Sequence, residues 1–306
     1  MKSSTATGTT ATAEAAGHYR GRFAPSPTGL LHIGSLAAAL ASWLDARAHG
    51  GAWLVRMEDL DRPRNRPGSA AALLATLDAL GLTPDEPVQY QSQRRGGYLQ
   101  AFTALRERGL LYRCTCSRSE TLTPYPGTCR DAAHPEDRPG AWRLRLPERE
   151  WCFSDRFQGP VRFSSRQLGD PVLLRRDGIV AYQLAVVVDD LAQGITDVVR
   201  GADLLDSTPW QLALIEMLGA PAPRYAHVPL ISDADGRKLA KSRHSLPLDA
   251  LAPGRELLRA LRLLRQHPPP DLATAAPAAI LEWAIDHWAP GNFARQRHID
   301  LSAARD

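Results

Sequence analysis

The chain has 306 residues, of which 44% are hydrophobic and 23% are charged, with a formal net charge of +4 and a pI near 9.0. A chain of this length can bury a large core in roughly two or three subdomains. Its modest positive charge permits a nucleic-acid partner without requiring one. No apolar stretch approaches the roughly 20 residues that span a bilayer, so we exclude membrane-spanning proteins and expect no membrane partner.

The chain begins with a segment rich in Thr, Ala, Ser and Gly that lacks the continuous apolar core of a secretory signal. We interpret residues 1–18 as a flexible tail and expect a cytoplasmic protein.

Residues 19–112 alternate between strand-like and helical patterns. The predicted elements are a strand at 19–23, a helix at 36–49, a strand at 53–57 and helices at 69–80 and 97–108. A turn with two prolines and a glycine, APSPTG, precedes the first helix. This order predicts the first half of a parallel α/β unit, in which ligands bind at the carboxyl ends of the strands.

Residues 113–165 change character: they are rich in turns, Cys, Pro and Arg, with short strand-like runs, and we interpret them as an insertion. The buried pattern returns in YQLAVVVDDLAQGITDVVRG, so residues 166–250 predict the second half of the α/β core. Residues 251–306 carry two more helical patterns, at 255–266 and 277–288, separated by His-Pro-Pro-Pro.

Two separate loops are candidates for phosphate binding. His32 and Gly34 stand at the start of the first helix, where backbone N–H groups form an anion site and a histidine can donate to a phosphate oxygen. Lys238 and Lys241 lie three residues apart in ISDADGRKLAKSRHS, a loop that can bring ammonium groups to a transferring phosphate. Taken singly, each has an ordinary explanation, an incidental histidine in a turn or a solvated basic loop.

The insertion holds three cysteines close together in the chain, Cys114, Cys116 and Cys129. Without an export signal, this spacing favours a metal over disulfides and supplies three ligands of a tetrahedral zinc site. A reduced trio without metal is the alternative, although close thiolates repel one another unless they are neutralised. Histidine or cysteine is the usual choice for a fourth ligand. The candidates are Tyr125, His134 and Cys152.

Five stretches occur in the order and approximate spacing of the glutamyl branch of class I aminoacyl-tRNA synthetases. They are GRFAPSPTG, VRMEDLDRPR, GITDVVRGADLL, STPWQL and DGRKLAKS, within residues 19–250. The chain thus resembles enzymes with a Rossmann-like α/β catalytic core and HIGH-type and KMSKS-type motifs. Ser35 stands in place of the second histidine, and the lysine loop reads Lys-Leu-Ala-Lys-Ser.

The resemblance implies activation of L-glutamate by ATP with Mg²⁺, and it assigns the site residues. The catalytic residues are His32, Lys238 and Lys241. The ATP-binding residues are Pro25, His32, Gly34, Ser35, Lys238, Leu239, Lys241 and Ser242. The glutamate-binding residues are Arg22, Phe23, Ala24, Pro25, Ser26, Glu58, Tyr182 and Arg200.

Within the glutamate set, the resemblance implies that Arg22 and Arg200 bind the carboxylates, that Glu58 and Ser26 bind the ammonium group, and that Tyr182 lends a hydroxyl. We expect the arginines, the glutamate and the tyrosine at strand ends beside the motifs. Val186 stands where tRNA-charging glutamyl enzymes carry an asparagine, so the pocket is not a full copy of theirs.

The short members of this branch place a Cys-x-Cys, a tyrosine and, four residues later, a cysteine in the same insertion. By this resemblance, one structural Zn²⁺ is bound by Cys114, Cys116, Tyr125 and Cys129. The region after residue 250 has room for a short stem-contact helical region and not for a long anticodon-binding domain, which again resembles the short members.

Those enzymes activate glutamate without tRNA and transfer it to the cyclopentenediol of queuosine in tRNA(Asp). The implied partners are therefore L-glutamate, ATP and queuosine-bearing tRNA(Asp). Two alternatives stay open: a truncated glutamyl-tRNA synthetase that charges a tRNA 3′ end, and a synthetase-like RNA-binding protein without catalysis.

Overall fold

The structure is a computed structural model that describes residues 18–304 apart from 118, 121–122, 135–137, 233–247 and 250. Four residues of the predicted ATP site, Lys238, Leu239, Lys241 and Ser242, lie outside the described residues. Within the described ranges, no helix is both long enough and apolar enough to cross a membrane.

Strands and helices alternate over much of the described chain. The strands are β1 (Arg20–Phe23), β2 (Ala52–Met57), β3 (Gln89–Tyr90), β4 (Leu111–Cys114), β5 (Ala141–Leu144), β6 (Glu150–Asp155), β7 (Gly159–Ser164), β8 (Val172–Leu174), β9 (Asp197–Gly201), β10 (Arg224–Val228), β11 (Leu230–Ser232) and β12 (His298–Asp300). The α-helices are α1 (Ile33–Ala48), α2 (Ser69–Ala79), α3 (Arg95–Glu107), α4 (Ser165–Leu168), α5 (Tyr182–Ala192), α6 (Thr208–Met217), α7 (Pro253–Leu263) and α8 (Pro277–Asp286).

The centre of the fold is parallel, as the sequence predicts. Strand β1 pairs with β2, β2 pairs with β3, and β9 pairs with β10, all in parallel. The two groups meet where the Thr196 amide, just before β9, donates to the Arg20 carbonyl at 3.0 Å. The carboxyl ends of β1, β2, β9 and β10 therefore face the same region, which is where such sheets bind ligands.

Helix α1 begins at Ile33, three residues earlier than predicted, because His32 caps it. The His32 ring accepts a hydrogen bond from the Ser35 amide at 3.2 Å and so satisfies a donor of the first turn. Leu36, Leu40 and Leu44 are fully buried, because the helix packs between the parallel sheet and the C-terminal helices. The helix is thereby held rigidly, and its N-terminus lies beside the carboxyl ends of the strands.

An antiparallel region interrupts the parallel core. Strand β5 pairs with β4 and β8, and β6 and β7 form a hairpin. The end of this hairpin returns to the core, since the Arg156 amide donates to the Tyr225 carbonyl in β10 at 2.9 Å. Asp155, the last residue of β6, is consequently buried beneath the central sheet.

Tyr182 corrects one expectation, since it is the first residue of helix α5 and does not end a strand. The run of β-branched residues that follows it is helical, because Leu184, Val186 and Val187 are buried together against α3 and α6. Burial of most of the helix surface removes the polar face that would have identified a helix from the sequence.

The C-terminal helical patterns are confirmed as α7 and α8, which pack on α1 and on each other. The last strand, β12, pairs in parallel with β11, so that Ile299 lies opposite Ile231. No local pattern in the sequence predicted this pair, which joins the C-terminal region to the segment that follows β10.

Candidate amino-acid and nucleotide site

A cavity of about 750 Å³ opens at the carboxyl ends of the parallel strands. This volume is in the range of sites for small molecules and cofactors. All eight residues of the predicted glutamate set line it: Arg22, Phe23, Ala24, Pro25, Ser26, Glu58, Tyr182 and Arg200. Three further residues of the predicted ATP set line the same cavity: His32, Gly34 and Ser35. The fold thus brings the predicted glutamate set together with the part of the predicted ATP set that lies within the described residues.

The start of helix α1 forms one wall of the cavity. His32 Nδ1 accepts from the Ser35 amide, so its Nε2 carries the proton and lies 2.8 Å from Ser35 Oγ. A phosphate oxygen that accepts a hydrogen bond from Nε2 has to take the place of Ser35 Oγ as the acceptor. Gly34 keeps this wall open, because a Cβ at that position would lie 3.3 Å from the His32 ring.

Arg22 is held by a buried carboxylate. Its Nε and Nη2 donate to the two oxygens of Asp190, each at 3.2 Å, and both side chains are almost fully buried. Arg56 Nη2 lies 2.8 Å from Asp190 Oδ1, so one carboxylate faces two guanidinium groups. Burial opposes ionisation of Asp190, but the two arginines hold its pKa below the ordinary value. Arg22 is therefore fixed along one edge, and its Nη1 donates to none of the described residues, so this end faces the cavity for a ligand.

Glu58 follows strand β2 and presents its carboxyl group to the cavity. Its side chain is 11% exposed, and Oε1 is buried without a hydrogen-bond partner among the described residues. The nearest cation is Arg56, with Nη2 at 3.8 Å. Burial raises the pKa of Glu58 to about 7, although Arg56 and Arg22 act against the rise. A ligand ammonium would supply the partner that this carboxyl group lacks.

Arg200 approaches the cavity from β9 and is held on three sides. Its Nε donates to His227 Nε2 at 3.0 Å, Nη2 donates to Thr208 Oγ1 at 2.9 Å, and Nη1 donates to Tyr182 Oη at 3.3 Å. Arg200 is 5% exposed. Since Tyr182 Oη accepts this bond, its own proton remains available to a carboxylate in the cavity.

Several residues at the site were not assigned from the sequence. Asp190 and His227 hold the two arginines from behind, and Arg64 and Arg66 add positive charge to the cavity wall. The aspartate pair and the RPRNRPG stretch were visible signals, but nothing in their local pattern showed which way they faced. Val186 is fully buried in the core and does not line the cavity.

The cysteine cluster lies in the antiparallel region, after β4. The Sγ atoms of Cys114, Cys116 and Cys129 all lie within 4.8 Å of one another, and those of Cys116 and Cys129 are 3.5 Å apart. Sulfurs bound to one zinc at about 2.3 Å lie roughly 3.8 Å apart, so this spacing fits a tetrahedral site. Among the described residues, no histidine nitrogen or carboxylate oxygen lies within 4.8 Å of all three sulfurs.

Tyr125 supplies an oxygen at the same point. Its Oη lies 3.4 Å from Cys114 Sγ and 3.8 Å from Cys116 Sγ, and it accepts from the Cys129 amide at 2.9 Å. The Arg143 guanidinium lies 3.8 Å from the centre of the Tyr125 ring. Burial and hydrogen bonds with the cysteine side chains raise the pKa of Tyr125, whereas the donating Cys129 amide favours the anionic oxygen that a metal needs. Tyr125 therefore fits as a fourth ligand.

The two other candidates for a fourth ligand lie differently. His134 is beside the cluster, with Nδ1 3.4 Å from Thr115 Oγ1 and Nε2 buried without a partner among the described residues. Cys152 is exposed on β6 and is not part of the cluster. Burial opposes ionisation of Cys129, but hydrogen bonds, the largest from Tyr125, lower its pKa to about 6. The cluster thus already favours one thiolate.

Comparison with protein families and relatives gives a consistent result. Residues 18–252 match the family model described as the catalytic domain of class I tRNA synthetases (E and Q). The chain is 55% identical over 285 residues to the glutamyl-Q tRNA(Asp) synthetase of Ectopseudomonas mendocina, covering 92% of this chain and 97% of that protein. It is 56% identical over 274 residues to the protein of the same name from Pseudomonas aeruginosa, covering 88% and 93%.

Solved structures resemble the chain over most of its length. A glutamate tRNA ligase from Elizabethkingia meningosepticum, in complex with its amino acid, superposes with a TM-score of 0.77 at 25% identity, covering 94% of this chain and 68% of that one. A glutamate-tRNA synthetase from Elizabethkingia anophelis superposes with a TM-score of 0.78 at 24% identity. These matches confirm the predicted fold class.

Proposed function

Because this chain belongs to the glutamyl-Q tRNA(Asp) synthetase family of class I tRNA synthetases, we propose that it activates L-glutamate with ATP and transfers it to queuosine in tRNA(Asp). The observation that carries the proposal is one cavity lined by the predicted glutamate residues together with His32, Gly34 and Ser35 of the predicted ATP set. We propose a cytoplasmic location, where charged and uncharged tRNA circulate.

The charges of the cavity support glutamate as the amino acid. Glutamate has two carboxylates and one ammonium group, and the cavity is lined by two fixed guanidinium groups, Arg22 and Arg200, and by the carboxyl group of Glu58. Arg200 and Tyr182 form one carboxylate clamp, and Arg22 Nη1 is available to the other carboxylate. Glu58 and Ser26 receive the ammonium group. A neutral side chain would leave one of the guanidinium groups without a partner.

The first chemical step is attack of the glutamate α-carboxylate on the α-phosphate of Mg-ATP. The P–O bond to the β-phosphate breaks, and pyrophosphate leaves as glutamyl-adenylate forms. His32, Lys238 and Lys241 stabilise the charge on the phosphates, and the N-terminus of α1 adds backbone N–H groups. Positioning and electrostatics account for catalysis here, since the step needs no nucleophile from the protein.

The second step joins glutamate to the modified base. A hydroxyl of the queuosine cyclopentenediol attacks the carbonyl of the mixed anhydride, an ester forms, and AMP leaves. No tRNA is needed for the first step in this scheme, as in the short members of the branch that the chain resembles.

We also propose that Cys114, Cys116, Tyr125 and Cys129 bind one structural Zn²⁺. This set is supported by three close sulfurs and by a phenolic oxygen that accepts a hydrogen bond from the Cys129 amide. When bound, zinc supplies a crosslink between the two ends of the loop that follows β4. The metal lies in the antiparallel region, and no step of the chemistry passes through it.

The test of this function is transfer of labelled glutamate to matched RNA preparations. These are tRNA(Asp) with queuosine, tRNA(Asp) with unmodified guanine, and tRNA(Glu). The expected result is label on queuosine-bearing tRNA(Asp) alone, together with glutamate-dependent ATP–pyrophosphate exchange in the absence of RNA.

Label on tRNA(Glu), or equal label on both forms of tRNA(Asp), would instead identify an enzyme that charges the 3′ end. Absence of both exchange and transfer would identify a synthetase-like RNA-binding protein. Either outcome would contradict the proposed function.

A further inference from the structure

His227 lies directly behind Arg200, on the neighbouring strand of the parallel sheet. The two residues are register partners in β9 and β10, with Arg200 Nε 3.0 Å from His227 Nε2. On its other side, His227 Nδ1 lies 2.5 Å from Asp155 Oδ2. The side chains of His227 and Asp155 are fully buried, and His227 does not line the cavity. His227 Nε2 also lies 3.4 Å from Thr208 Oγ1, which itself accepts from Arg200, so His227 acts on a ligand through the group that surrounds Arg200.

The partners of His227 decide where its proton is. Arginine can only donate, so His227 Nε2 must be the acceptor and the proton must be on Nδ1, where it is donated to Asp155. Asp155 is itself anchored, because its Oδ1 accepts from the amides of Phe157, Gln158 and His227 at 2.8 to 3.1 Å. Burial lowers the pKa of His227 to about 4, against the effect of Asp155, which agrees with a neutral ring.

This arrangement directs most of the hydrogen-bond donors of Arg200. Nε donates to His227, Nη2 donates to Thr208 Oγ1 and to the Leu204 carbonyl, and Nη1 donates to Tyr182 Oη. A guanidinium group has five N–H donors, and these four bonds, counted over the described residues, leave one N–H on Nη1. That donor lies beside the Tyr182 hydroxyl, at the edge of the cavity.

We propose that His227 is a positioning residue for the glutamate carboxylate: as a neutral acceptor it holds Arg200 so that Nη1 and the Tyr182 hydroxyl face the substrate. This role rests on the proposed function. The neutrality of the imidazole matters, because a carboxylate at the same place would orient Arg200 equally well but would also neutralise it. Arg22 shows that contrast, since both of its held nitrogens face the anionic Asp190.

The test compares two amides in place of His227. The amide of asparagine reaches the position of Nδ1 and keeps a donor for Asp155 without an acceptor for Arg200, whereas the amide of glutamine reaches the position of Nε2. We expect His227→Asn to raise the KM for glutamate about tenfold, as for loss of one hydrogen bond to a charged group. The KM for ATP should stay within about twofold, and His227→Gln should recover most of the loss.

Asp155→Asn tests the same hydrogen-bonded chain at the Nδ1 side of His227, and asparagine has the same shape as aspartate. Its amide N–H faces Nδ1 and drives the imidazole proton to Nε2, where it opposes the Arg200 N–H. The KM for glutamate should rise while the KM for ATP does not. This variant decides the question if both His227 variants fail to fold, which thermal unfolding of each protein reports.

The readout is ATP–pyrophosphate exchange with glutamate or ATP varied. A rise in the KM for glutamate that is equal in the asparagine and glutamine variants, or matched by the KM for ATP, would reduce His227 to a structural residue and overturn the proposal. So would an unchanged KM for glutamate in folded Asp155→Asn. Absence of glutamate-dependent exchange in the unmodified protein would instead contradict the proposed function itself.

Discussion

At the scale of single residues, the cavity is defined by charged groups that are only partly satisfied. Arg22 and Arg56 share Asp190, Arg200 is held by a neutral ring, and Glu58 has no hydrogen-bond partner for Oε1 among the described residues. A buried polar group without a partner costs free energy that a correct ligand recovers. The two arginines, Arg22 and Arg200, therefore favour a ligand with two anionic groups, and Glu58 favours one cationic group on the same ligand.

Glu58 gives a prediction about pH. Burial raises its pKa to about 7, so below this pH the carboxyl group is protonated and no longer attracts an ammonium group. The KM for glutamate should rise as the pH falls from 8 to about 6. Glu58→Gln should have a KM raised about tenfold or more, with little change over that range.

The measurement is ATP–pyrophosphate exchange across this pH range, with the KM for ATP as the internal control. If the unmodified protein and Glu58→Gln show parallel pH profiles for the KM of glutamate, Glu58 does not bind the ammonium group.

At the scale of elements, helix α1 and the loop that carries Tyr125 are each held in place by close contacts. Helix α1 starts at the cavity because the His32 ring caps it, and its buried leucines leave it no freedom to shift. The loop that carries Tyr125 packs on Gly169, where a Cβ would lie 2.6 Å from the Tyr125 amide nitrogen. Gly169 also has a φ of +65°, which favours glycine. The position of the phenolic oxygen is therefore set by a contact between distant parts of the antiparallel region.

The proposed metal site gives a prediction at this scale. Tyr125→Phe removes the proposed oxygen ligand and leaves three sulfurs, so zinc should leave the protein about tenfold faster during dialysis against a chelator. Cys152→Ser is the matched control and should keep zinc as the unmodified protein does, because Cys152 is exposed on β6 and lies outside the cluster.

Elemental analysis of zinc per chain over the course of dialysis provides the measurement. Release as slow from Tyr125→Phe as from the unmodified protein would remove Tyr125 from the ligand set. Fast release from His134→Ala in the same experiment would then identify His134 as the fourth ligand.

At the scale of the whole molecule, Asp45 joins helix α1 to three other segments of the chain. It is fully buried in α1, accepts from Tyr19 Oη at 2.6 Å and from Trp288 Nε1 at 3.2 Å, and forms a bidentate pair with Arg156. Burial disfavours the ionised carboxylate, but Arg156 holds the pKa of Asp45 below its ordinary value. The start of the chain, the antiparallel hairpin and the C-terminal region thus meet at one carboxylate.

Asp45→Asn should lower the free energy of unfolding at pH 7 by about 3 kcal/mol, because it leaves the Arg156 charge without its closest anion. The pKa of Asp45 is lower in the folded state than in the unfolded state. Its contribution is therefore present at neutral pH and is lost as the pH falls below about 4. The difference between variant and unmodified protein should narrow in acid.

Urea unfolding at pH 7 and in acid measures this difference, with Asp271→Asn as a control at an exposed aspartate. A loss at pH 7 no larger than that of the control would show that the four segments are held together without Asp45.

Much of the fold could be predicted because its signals are local. Helical periodicity and turn residues located α1, α2, α3, α7 and α8 to within a few residues. Helix α5 carried no such signal, because a helix buried on most sides has no polar face. The pairing of β11 with β12 joins residues far apart in the chain, and no local pattern reports such a contact.

The sequence by itself determined the family, the α/β core and the residues that the fold gathers around one cavity. It could do so because the ordered motifs, and the charged residues that a dicarboxylic amino acid requires, are recognisable from residue types alone. The tertiary structure alone decided which groups hold those residues. Asp190 behind Arg22 and His227 behind Arg200 are matters of distance and direction between separate segments. Hydrogen bonds and the pKa values of buried groups depend on that geometry, and a linear pattern does not contain it.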